Sequence, residues 1–94
     1  DLHSFPTRRS SDLNRWLGMT LRKAGRLDEA EKFYLRALER ESRDESIHFN
    51  LGRVYLDMKA WERAARAAAD ALDINPDFDE ARKMKLFADR QART

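Results

Sequence analysis

From Asn14 onward the apolar residues recur at three- and four-residue intervals, the spacing of one face of an α-helix. Leu17 and Leu21 share a stripe flanked by Trp16 and Thr20, which predicts a first helix over 14–23. Leu27, Ala30, Tyr34, Ala37 and Leu38 make the inward stripe of a second. Ile47, Leu51, Val54 and Tyr55 mark a third, and Trp61, Ala64, Ala68, Ala71 and Leu72 a fourth. Ala81, Met84 and Ala88 mark a fifth, running from about Asp79 into a charged end. The punctuation agrees. Gly25 suits the left-handed residue past a helix end, and Asp28 and Glu29 place negative charge in the next first turn. Arg40 and Arg43 fall near the other end of that helix, where positive charge is favourable. Asp44 or Ser46 can cap the third helix, Lys59-Ala60 makes a turn, and Pro76 after Asn75 cannot continue a helical ladder.

The pattern also repeats. Shifted by 34 residues without a gap, Leu17-Gly18 falls on Leu51-Gly52, Leu21 on Tyr55, and Ala30 on Ala64. Ala37-Leu38 falls on Ala71-Leu72, and Ser42 on Pro76. Leu17-Gly18, Leu21, Gly25, Ala30, Tyr34 and Ala37 resemble the signature of the tetratricopeptide repeat (TPR), as do Leu51-Gly52, Tyr55, Ala64, Ala71 and Pro76. The resemblance implies an all-α, TPR-type helix-turn-helix solenoid of two repeats plus a C-terminal capping helix. Its expected divisions are 14–44, 45–78 and 79–94, the last being a cap or the start of a third repeat. Gly18 and Gly52 would let each first helix approach Ala30 and Ala64, while Ala37 and Ala71 make room for the following unit.

Several positions depart from the family pattern. Asn14 and His48 stand where a large apolar residue is usual, and Lys59 replaces the turn glycine, so that turn is expected to be slightly strained or differently shaped. Ala68 replaces a large aromatic, leaving volume for Trp61 or Phe78. Lys85-Leu86 replaces the expected Leu-Gly, which favours a cap over a complete third repeat.

The first thirteen residues, Asp1 to Leu13, have no periodicity. They resemble one translated reading frame of a widely used sequencing adapter and are set aside as a non-native tail. Arg8-Arg9-Ser10-Ser11 therefore carries little weight as a phosphorylation site, and the arginine pair lacks the apolar stretch of an export signal. The genuine sequence is expected to begin near Asn14 and to extend upstream. Such a fragment should be marginal in stability, fray at its N-terminal end and self-associate through its uncapped first repeat.

Composition narrows the function. A chain of 94 residues holds one small domain, and 41% hydrophobic with 38% charged residues suits a soluble helical one. The absence of cysteine removes disulfides, thiolate metal sites and cysteine nucleophiles. No apolar run approaches membrane-spanning length. With no signal segment evident the compartment stays open, the cytoplasm slightly favoured. Nineteen basic and 17 acidic residues interleave to a net +2, so nothing demands a nucleic-acid partner. No catalytic constellation or phosphate loop is present. His48 aligns with a packing position, and the pairs Asp28/Glu29 and Asp79/Glu80 read as helix-start charges. No enzyme activity, cofactor or metal is therefore expected.

Resemblance to TPRs implies that peptides or helices bind across the first helices, on the concave face. The candidate contacts are Arg15, Met19, Arg22 and Lys23; Phe49, Asn50, Arg53, Leu56 and Asp57; and Lys83, Phe87 and Arg90. Guanidinium groups among Met and Phe suggest an acidic partner with apolar anchors. The clamp that some family members form around a C-terminal carboxylate is matched only at Asn50. Met19, Glu80 and Met84 stand where asparagine, lysine and arginine belong, and Arg15 is a partial substitute for the first lysine. The leading expectation is a scaffold or adaptor module. The alternatives are a regulatory or docking arm of a larger enzyme or signalling protein, and single-stranded nucleic-acid binding, which the charge balance disfavours.

Overall fold

The computed structural model describes residues 10–94 and contains five helices with no strand among them. These are α1 (Ser10–Lys23), α2 (Leu27–Arg40), α3 (Glu45–Asp57), α4 (Trp61–Ile74) and α5 (Asp79–Arg93). Each helix packs on the next, and α3 also touches α1 and α5, so the odd-numbered helices lie side by side. The reading of Asp1 to Arg9 as a tail lies outside the described residues. α1 begins at Ser10, four residues before Asn14, so Ser10 to Leu13 take part in its first turn.

Both repeats make the turn from first to second helix in the same way. Gly25 N–H donates to Arg22 O and Arg26 N–H to Leu21 O, with Gly25 at φ 82°. Lys59 N–H donates to Leu56 O and Ala60 N–H to Tyr55 O, with Lys59 at φ 61°. This is a Schellman turn, whose left-handed residue satisfies carbonyls left free at a helix end. Lysine in that conformation carries the crowding that glycine avoids. Of the two proposed caps, Asp44 does the work: its carboxylate accepts from Ser46 N–H at 2.9 Å and Ser46 Oγ at 2.6 Å. Burial alone would raise the Asp44 carboxyl; the Ser46 bonds, Arg15 and the Ile47 amide outweigh it and hold the carboxyl below its usual range.

Alanine dominates the core: Ala30, Ala37, Ala64, Ala68, Ala71, Ala81 and Ala88 are all completely buried. The close approach at each glycine differs from the expectation. A Cβ on Gly18 would lie 2.7 Å from the Tyr34 ring, so the phenol of α2, rather than Ala30, fills the notch in α1. At Gly52 the intruder is Met84 of α5, whose sulfur would lie 2.6 Å from an added Cβ. Ala68 stands where Tyr34 stood one repeat earlier, so the missing ring is replaced by a thioether reaching in from the following helix. That corrects the assignment of Trp61 or Phe78 to this space. Trp61 packs edge-on against Phe87 at 5.8 Å between centroids, and Phe78 against Phe49 at 4.9 Å.

α5 is the last of the described helices, and its outer positions are largely charged. Leu86, in the register of Gly18 and Gly52, is 59% exposed, and beside it Lys85 pairs with Asp89 at 2.8 Å. Arg82 pairs with Asp79 at 2.7 Å on the same stretch.

Two outcomes follow. Gly18→Ala gains about 1 kcal/mol of helix propensity but must displace a buried ring, costing about 1–3 kcal/mol, whereas the Met84 thioether at Gly52 can swing aside. Urea denaturation should therefore show Gly18→Ala less stable than Gly52→Ala; the reverse order contradicts the packing described. The second outcome concerns Tyr55, which donates to Glu31 Oε2 at 2.7 Å. Burial, then that bond and the Glu31 charge, push its phenol up to about 12. An unfolded tyrosine ionises near ~10, so this stabilisation is complete below that pH and disappears as pH rises through the folded value. Tyr55→Phe should flatten the alkaline fall of unfolding free energy, and an unaltered fall would remove Tyr55 as its source.

Candidate functional site

The first-helix residues form three parallel rows because 34-residue register places equivalent positions on adjacent odd-numbered helices. Arg15, Met19 and Arg22 on α1 correspond to Phe49, Arg53 and Leu56 on α3, and to Lys83, Phe87 and Arg90 on α5. The rows are unequal in availability. Met19 is 42% exposed and Phe87 44%; Arg53, Lys83, Lys23, Asp57 and Arg90 are exposed as well. Arg15, Arg22, Phe49, Asn50 and Leu56 are half-buried. Leu56 packs against the core, while Phe49 and Phe87 lie in the two aromatic pairs.

Two of the arginines cross from α1 to α3. Arg15 reaches Asp44 Oδ2 at 3.2 Å and Ser46 Oγ at 3.1 Å, and also holds Asp12 at 2.6 Å within its own helix. Arg22 reaches Asp57 at 2.6 Å. One bridge therefore spans the start of α3 and the other its end. Arg53 and Asn50 lie on α3 between them, at helical spacing from Ser46 and Asp57, and neither has a side-chain partner among the described residues.

Below these side chains lies the Tyr34 phenol, only 2% exposed. Its ring crosses Gly18, which sits in the α1 row between Arg15 and Arg22. Burial raises the phenol above its ordinary value, opposed by the charges of Arg22, Arg53 and Arg15. Sequence reasoning missed this group, assigning Tyr34 to packing alone. The available signal was a glycine three residues after one arginine and four before another, which opens a gap in a cationic row.

The opposite side of the molecule is different in character. Leu35 and Leu38 of α2 and Ala67 of α4 border a cleft of about 210 Å³ floored by Leu51 and Tyr55. His48 is at its edge, where Nε2–H donates to the Ser42 carbonyl at 2.9 Å and Nδ1 lies 4.0 Å from Asp70. A carbonyl can only accept, so that bond fixes the tautomer of the neutral ring. Among the described residues, no group of three or more His, Cys, Asp or Glu side chains could hold a metal ion. None of the described helices is long and apolar enough to cross a membrane.

Antiparallel helix pairs stacked so that every first helix meets the next define an α-solenoid of helical hairpins. A family model described as tetratricopeptide repeat matches residues 9–77, and the chain belongs to the tetratricopeptide-repeat family. Among curated proteins, none matches the chain significantly. Repeats of this family generally serve as protein–protein interaction modules.

Proposed function

We propose that this chain is a scaffold or adaptor module whose first-helix face binds an acidic peptide or helix through a few apolar anchors. The observation that carries this reading is the exposed Arg53 guanidinium, set between two interhelical ion pairs and without a carboxylate of its own among the described residues. An unneutralised cation flanked by partly exposed Met19 and Phe87 suits a carboxylate next to apolar side chains. Arg53 makes no ion pair among the described residues, so Arg53→Glu should leave thermal stability close to the parent value. Titration of acidic, Phe-containing peptides by fluorescence anisotropy should show binding weakened at least tenfold in that variant. Equal affinity for both proteins would sink the assignment.

The same module is proposed to self-associate through α1. Ile47 and Val54 of α3, and Ala81 and Ala88 of α5, are completely buried. The α1 register equivalents are Leu13, 42% exposed, and Thr20, also exposed, with Trp16 at 56% between them. Sedimentation should show concentration-dependent dimers that Trp16→Glu abolishes; a monomer at all concentrations would contradict this.

A further inference from the structure

The cleft between α2 and α4, on the side opposite the first-helix face, has two distinct ends, and α3 runs beneath both. At one end the Tyr55 hydroxyl donates to Glu31 Oε2 at 2.7 Å, and the Arg63 guanidinium lies 5.9 Å from the Tyr55 ring centroid. At the other, His48 Nε2–H donates to the Ser42 carbonyl at 2.9 Å, and Nδ1 lies 4.0 Å from Asp70 Oδ2. Two helical turns separate His48 from Tyr55 on α3 and Arg63 from Asp70 on α4, so the cleft is about 10 Å long. Its middle is apolar. Leu35, 43% exposed, and Leu38 form the α2 wall, with Leu51 as floor and Ala67 on the α4 side. Ala67 matches Phe33 in the 34-residue register, so α4 presents a methyl where α2 carries a ring.

The two ends carry opposite charge. Arg63 and Arg66 are exposed on α4, and neither has an ion-pair partner among the described residues. Glu31, at the same end, is engaged by the Tyr55 hydroxyl. At the far end the neutral imidazole spends its one proton on Ser42. Nδ1 and the Asp70 carboxylate are then both acceptors, facing each other and unable to bond. A donor from outside can serve both. We propose that this cleft is a second docking surface, for an amphipathic helix of a partner protein that lowers one large apolar side chain between Leu35 and Ala67. A carboxylate one turn to one side of that anchor meets Arg63 and Arg66. A lysine or arginine one turn to the other side meets Asp70 and His48. The surface is separate from the first-helix face and does not depend on what binds there.

Volume, charge and length select this occupant. A space of about 210 Å³ falls below the ~300–1,000 Å³ typical of small-molecule pockets and suits a single side chain. Arg63 and Arg66 alone would attract any polyanion, but a nucleic-acid strand following the cleft would run its phosphates against Asp70. On one face of a helix, residues three or four apart lie about 5–6 Å from each other, so an anchor with a flank on either side spans the length available.

The probes are two end-capped, alanine-rich helical peptides with a central phenylalanine. One has glutamate a turn before the ring and lysine a turn after; the other has these charges exchanged. Each is titrated into the full chain at about pH 8, where an ordinary imidazole is neutral, and followed by NMR at the Leu35, Leu38 and Leu51 methyls. At least one peptide should give saturable shifts there, and replacing its phenylalanine with alanine should abolish them. Arg66→Glu, an exposed change, should weaken that peptide at least tenfold, because it sets like charges against each other. Leu35→Ser on the opposite wall should weaken it as well, and carries the test if Arg66→Glu loses helicity. Replacing the peptide's lysine with glutamine should cost about threefold, as for a partly exposed ion pair, and Asp70→Asn should cancel that preference. No saturation with either peptide, equal affinity of the alanine peptide, undiminished affinity in the variants, or tighter binding of an oligouridylate at the same methyls each overturns the proposal. Arg53→Glu separates the two surfaces: these shifts should persist in it, and their loss would move the peptide to the first-helix face.

Discussion

Close helix approach, made possible by residues with little or no side chain, is the constraint on which this molecule depends. Seven alanines are wholly buried, and each glycine of the two first helices receives a group from a neighbouring helix. An alanine core provides modest apolar area per residue, so its stabilisation comes from dense contact rather than from large buried side chains. Dense contact in turn tolerates little change in volume. The two notches are filled by different means: the Gly18 notch by a ring from its own hairpin, the Gly52 notch by a thioether from the following helix. The second hairpin is therefore completed by α5.

The same closeness sets up the surface. First helices brought side by side hold their outward rows within reach of each other, which lets Arg15 and Arg22 of α1 find carboxylates on α3. Such partly exposed pairs contribute little to stability, typically below about 1 kcal/mol each. Their consequence is geometric. Two long side chains that would sample many rotamers are fixed at both ends of the α1–α3 seam. Preorganisation of this kind lowers the entropy lost on association.

Much of the fold was legible because it rests on period and punctuation. Apolar spacing located all five helices, and Asn75-Pro76 marked the end of α4 at Ile74. Lys59 in a glycine position foretold a strained or reshaped turn; the turn keeps the shape of the one at Gly25, with the lysine at φ 61°. What could not be read were relations between helices. The vacancy left by Ala68 admits several fillers on paper. Only the relative placement of α3 and α5 shows that a flexible side chain from α5 arrives first. The start of α1 was also misplaced by four residues, because the stretch before Asn14 has no periodic apolar face, yet Asp12 places a carboxylate in its first turn.

The groove shows the same division between rows and relations. Repeat register alone named Arg15, Met19, Arg22, Phe49, Asn50, Arg53, Leu56, Lys83 and Phe87, and it treated them as interchangeable members of a surface. The fold separates them by what each is already doing. Arg15 and Arg22 are committed to bridges, Phe49 and Phe87 are braced by Phe78 and Trp61, and Leu56 belongs partly to the core. Arg53 is left exposed, with no ion-pair partner among the described residues. A repeat protein has little freedom to vary its small-residue framework without losing the stack. Variation is then left to the side chains that the framework holds in place but does not use.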